Sequence, residues 1–111
     1  MQLRDKLKQL CRKRYQDLTL PGIGSVRIQS FSEFDRSSIL LASGGDLVRQ
    51  HTLMISRAWV DPDKENCRIF SDDEEDLKQI GEIDSAVSIP LVEAISAHCM
   101  TIPTLEEAKK N

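Results

Sequence analysis

The side chains best suited to metal binding or covalent catalysis in this 111-residue sequence are Cys11, Cys67, Cys99, His51 and His98. A thiolate–imidazole metal site draws on closely spaced ligand pairs such as Cys-x2-Cys or His-x3-His. None occurs here, and the adjacent His98 and Cys99 diverge on a helix. Asp61, Asp63 and Glu65 are spaced like the opening of a calcium loop. Pro62 follows the first acid, however, the sixth place holds Asn66 instead of glycine, and the twelfth holds Asp72 instead of glutamate. Neither histidine lies in a nucleophile motif, and Gly-x-Ser-x-Gly is absent. Gly22-Ile-Gly24 is followed by no Gly-Lys-Ser/Thr, so its glycines read as turn formers. The chemistry-bearing residues therefore point away from an enzyme, a metal site or a bound cofactor.

What remains is surface. Leu3, Leu7 and Leu10 recur at helical spacing and form a narrow apolar stripe among charges. The same segment carries Arg4, Lys6, Lys8, Arg12, Lys13 and Arg14 against Asp5 alone. An acidic run, Asp72, Asp73, Glu74, Glu75 and Asp76, lies far along the chain. The candidate protein-interaction residues are Leu3, Leu7 and Leu10, then Arg12, Lys13 and Arg14, and this acidic run from Asp72 to Asp76. The net charge of −3 argues against a dedicated nucleic-acid binder, which relies on neutralising phosphates. Opposite charges segregated along one chain suit self-association.

The bulk properties describe one ordinary domain. Hydrophobic residues make up 40% and charged residues 30%, with aromatics at 5%, so the core must be aliphatic. Three cysteines at wide spacing and an N-terminus without an apolar run predict reduced thiols in a cytoplasm. No stretch approaches the roughly 20 apolar residues needed to span a bilayer.

The pattern predicts a mainly α fold of four to five helices with one or two small β-hairpins. It forms a single domain over residues 1–103, followed by a flexible tail over 104–111. The first helix runs to about Tyr15. Leu18 to Gln29 alternates around Pro21-Gly22 and Gly24 as a hairpin that helices must cover. Ser30 and Glu33 make a capping box for a second helix carrying Phe34, Ile39, Leu40 and Leu41, ending near Gly44-Gly45. Asp46 caps a central helix from Leu47 through Trp59 and Val60. After the Asp61–Asn66 turn, Val60 and the segment Cys67–Phe70 can pair as a second hairpin. Ser71 and Glu74 repeat the capping-box pattern before a short helix with Leu77 and Ile80. Asp84 caps a last helix, and Pro90 should kink it or delay its start.

The order of these phrases resembles the tail assembly chaperones of long, non-contractile-tailed bacteriophages. The resemblance covers roughly residues 1–100. It is carried by Cys11-Arg-Lys-Arg-Tyr15, Leu20-Pro-Gly-Ile-Gly-Ser-Val-Arg-Ile-Gln-Ser30, Trp59-Val-Asp61, Arg68-Ile-Phe-Ser-Asp-Asp-Glu74 and Ile80-Gly-Glu-Ile-Asp84. It implies a helical, non-catalytic protein of the host cell cytoplasm that binds the tape measure protein, helps tail tube protein assemble around it, and is absent from the finished virion. A homo-oligomeric ring or spiral fits that role; no membrane is involved. The family also implies a longer form made by ribosomal frameshifting, and the closing Lys110-Asn111 is compatible with a slippery AAA-AAC run. Two competing readings are a structural tail-completion or connector protein and a small nucleic-acid-binding regulator using the basic first helix.

Overall fold

Helix α3 (Leu47–Ala58) organises the molecule. Its residues Leu53, Met54, Ile55 and Ala58 are buried, and so are Thr52 and Ser56. Asp46 accepts from the amides of Val48 and Arg49, satisfying two orphan donors at the helix start. In the computed structural model, which describes residues 2–99, every other layer rests on α3 or on the sheet beside it.

The elements run α1 (Leu3–Gln9), β1 (Tyr15–Leu20), β2 (Gly24–Gln29), α2 (Glu33–Ser43), α3, β3 (Trp59–Asp61), a 3-10 turn (Pro62–Lys64), β4 (Cys67–Arg68), α4 (Glu74–Gly81) and α5 (Ser85–Cys99). The expected hairpins are both present, but they are not separate. β2 also pairs with β3, so the strands form one four-stranded antiparallel sheet in the order β1-β2-β3-β4. The sheet is thus larger than two small hairpins. The reason is Trp59, expected inside the central helix. Its backbone is extended (φ −79, ψ 118), and it lies opposite Ile28 while Val60 lies opposite Arg27. Trp59 meets Phe70 edge-on, ring centroids 6.0 Å apart, an arrangement aromatic pairs favour.

Leu20, Val26 and Ile28 point from the hairpin into the core, against α3 and α5. Asp17, Thr19, Ser25 and Arg27 occupy the alternate positions, and Arg27 Nε donates to Asp17 at 2.6 Å. This alternation is what a half-covered antiparallel sheet requires. Leu91 and Ile95 of α5 and Leu77 and Ile80 of α4 complete the core. Each fully buried aliphatic side chain contributes roughly 1.5–3 kcal/mol.

Several local boundaries differ from the sequence reading. The first helix ends at Gln9, because Tyr15 onward is claimed by strand pairing from Tyr15↔Gln29 to Leu20↔Gly24. Ser30 is not a helix cap. Its amide donates to Arg14 O (2.8 Å) and its hydroxyl accepts from the Arg14 amide (2.9 Å), extending the hairpin by one pair. The capping box moves two residues on, to Ser32 with Asp35. Ser71 does not cap α4 either; its amide and hydroxyl donate to Asp76 (2.7 and 2.8 Å), and the helix starts after Asp73. α5 begins directly after Asp84, whose carboxylate accepts from the Ala86 amide (2.9 Å), and passes through Pro90 without a delayed start. The tail expected over 104–111 lies outside the described residues.

Candidate functional site

α1 precedes β1 and lies at the surface of the molecule. None of its residues is buried. Leu3, Leu7 and Leu10 are 70%, 51% and 68% exposed, so the stripe read from the sequence exists and faces away from its own core. The cations behind it are distributed differently from the expectation. Arg12, Lys13 and Arg14 lie in the connection to β1, not on the helix. Lys13 Nζ donates to Asp35 (2.8 Å) and to Ser30 O (3.0 Å). Arg14 Nη2 donates to His98 O (2.8 Å), a cation at the last turn of α5, where the helix dipole favours it. His98 Nε2 lies 3.0 Å from Arg14 O, which requires a proton on that nitrogen. Arg12 is exposed.

The acidic run is also drawn largely inward. Asp72 accepts from the Ser56 hydroxyl (2.7 Å), Arg57 Nε (3.0 Å) and Arg68 Nη2 (2.6 Å). Burial acts to raise the Asp72 pKa, but the Ser56 and Arg68 hydrogen bonds outweigh it and hold the carboxyl below its ordinary range. Glu74 pairs with Arg49 at 2.7 Å, and Asp76 takes the two Ser71 donors. Asp73 and Glu75 stay exposed. The basic and acidic groups read from the sequence therefore act mostly as ties within the chain.

Two of those ties, the ones made by Lys13 and by Asp72, meet at Arg57. Its guanidinium reaches Asp72 (2.9 Å), Asp35 (3.3 Å) and Ser38 (2.9 Å), joining α3 to α2 and to the segment before α4. Asp35 in turn holds Lys13. Burial acts to raise its pKa, but Lys13, the Ser32 amide and the Ser32 hydroxyl bring it down to about 2. Sequence reading missed this hub, because neither Arg57 nor Asp35 stands in a charge run.

A second surface was also missed. Phe34 and Leu41 are 89% and 86% exposed. They stand seven residues apart on α2, hence on one face, while Ile39 is the large apolar residue that α2 buries. Leu47 and Val48, in the first turn of α3, are exposed beside the α2–α3 corner. The signal was present in the sequence: α2 carries more apolar residues than one inward stripe can hold. Beyond Val48 the surface opens into a groove of about 580 Å³ between α3, α4 and α5, lined by Ile55, Ile80, Ile83, Ile89 and Val92 with His51 and several serines.

Among the described residues, no group of three or more His, Cys, Asp or Glu side chains stands close enough to hold a metal ion. Cys11 and Cys67 are exposed, while the Cys99 thiol donates to Gln29 O (3.2 Å), and burial pushes it up to about 11. No described helix is long and apolar enough to cross a membrane. Compared with models of known protein families, with curated proteins and with solved structures, the chain matches none.

Proposed function

We propose that this protein is a non-catalytic tail assembly chaperone of a long, non-contractile-tailed bacteriophage. It binds the tape measure protein in the host cytoplasm, promotes assembly of tail tube protein around it, and leaves before the virion is complete. The observation that carries the reading is the amount of helical apolar surface the chain leaves uncovered: Phe34 and Leu41 on α2, Leu47 and Val48 at the corner, and the stripe on α1. Scattered exposed apolar residues are ordinary, but rows of them on successive helices mark contact surfaces. A tape measure protein offers long amphipathic helices, and helix faces recognise one another through anchors spaced by one or two turns. Weak contacts repeated along such a filament add in avidity, so that no single site must be strong and release remains easy. The resemblance of residues 1–100 to this chaperone family supplies the identity of the partner.

The test is co-expression with the tape measure protein of the same phage, purified through a tag on either chain. A soluble, stoichiometric complex is expected. An insoluble tape measure protein beside a free small chain contradicts the proposal. So does finding this chain at structural stoichiometry in purified virions by mass spectrometry, which favours a tail-completion component instead.

A further inference from the structure

We propose that α1 of one copy lies in the α3–α4–α5 groove of the next, so that the chain associates head to tail. This deepens the self-association expected of such a chaperone, but rests on the shapes and charges of the two surfaces.

The donor surface is α1. Leu3, Leu7 and Leu10 project from it at i, i+4 and i+7, the spacing by which a helix anchors in a groove. Arg4 and Lys6 flank that stripe, at about 100° on one side and about 60° on the other by helical geometry. None of α1 is buried on its own chain, so the stripe is available to a neighbour.

The acceptor surface complements it. The groove has about 580 Å³ of space, four isoleucines and two valines among the serines, Thr52 and His51 of its wall, and no lysine or arginine there. Glu93 forms part of the wall, and exposed Glu82 and Asp84 stand at its α4–α5 end. A cation-flanked apolar stripe thus meets a groove with an isoleucine and valine floor and an anionic rim, and like charge does not oppose the approach. The stripe is also short enough to lie within the groove. The leucine stripe spans about 10 Å and the lining segment of α5, from Ser85 to Ser96, about 16 Å. Donor and acceptor are different surfaces of one chain. The contact is therefore heterologous, building a ring or an open spiral according to the rotation between copies.

The experiment is sedimentation of the full chain over a concentration series, with Leu7→Glu and Ile89→Glu as variants. Both positions are exposed, and a circular dichroism melt verifies that each variant folds. Wild type is expected to grow beyond a dimer with concentration, and to do so at least about tenfold more weakly at about 0.5 M than at about 50 mM salt. Each variant alone should be monomeric. Mixed, they should form a dimer and stop there, because an intact groove on the Leu7→Glu chain receives an intact α1 from the Ile89→Glu chain. A wild type that stays monomeric overturns the proposal; the groove then belongs to a foreign helix or to residues 100–111. Association that survives in either variant, or a mixture that fails to pair, overturns it too. Co-purification with the tape measure protein is read separately, so failure here leaves the chaperone reading standing on its own test.

Discussion

Arg57 is the residue on which the polar half of this fold turns. It sits between two carboxylates, Asp35 and Asp72, and each is held by another cation, Lys13 and Arg68 respectively. Removing the shared guanidinium leaves two half-buried carboxylates facing one another across the gap. Arg57→Ala should therefore lower the free energy of unfolding by about 2–3 kcal/mol in urea titration; a loss indistinguishable from zero would show that the network is incidental. The same network sets the acid limit. An aspartate in an unfolded chain titrates near 3.8, whereas Asp35 is held at about 2. The native state prefers the charged form, so its contribution is complete above the unfolded value and disappears as pH falls through the folded one. Asp72 is shifted in the same direction. Stability should be level from neutral pH down to about 5 and fall between about 4 and 2, and Asp35→Asn should flatten that fall. The thiols separate in the same way. Iodoacetamide at mildly alkaline pH should label Cys11 and Cys67 in the native protein and spare Cys99, whose peptide becomes labelled only in denaturant.

At the scale of elements, the parts differ in how much they matter to the core. α3 touches every layer, whereas α1 buries nothing. Deleting residues 2–10 should therefore move the urea midpoint by no more than about 0.5 kcal/mol in stability terms, while abolishing any contact made through the leucine stripe. A cooperative loss of folding on that deletion would show that α1 belongs to the core. Elements were legible in the sequence where one local pattern decided them. Asp46 before α3, Gly44-Gly45 after α2 and the alternation around Pro21-Gly22 all appear where the residues place them. Legibility failed where partners distant in sequence competed. Tyr15 left the first helix because Gln29 pairs with it, Ser30 lost its capping role to Arg14, and Trp59 left α3 because Ile28 offered a strand edge. The candidate site was legible to the same degree. The Leu3, Leu7, Leu10 stripe could be read from spacing alone. Which charges would be absorbed by Arg57, Arg68 and Arg49 could not, since that depends on how four segments meet.

For the whole molecule, a small core coexists with a large uncovered apolar surface. The core is closed by the sheet on one side of α3 and by α2, α4 and α5 around it. The polar ties are satisfied within the chain: among the described residues, no buried side-chain nitrogen or oxygen lacks a hydrogen-bond partner. Among the large hydrophobic residues left exposed, Leu3, Leu7, Phe34, Leu41, Leu47 and Val48 lie on helices, and the proposed function assigns them to contacts with partners. The most direct measurement of that claim is the mass, by light scattering, of the complex co-purified with the tape measure protein, made once with the wild-type chain and once with Phe34→Glu/Leu41→Glu. Both residues are almost fully exposed, so the double variant should fold normally. A large complex containing many copies of the wild-type chain is expected, with most of those copies lost in the variant. A complex of equal mass with the folded variant, or no complex with either chain, would contradict it.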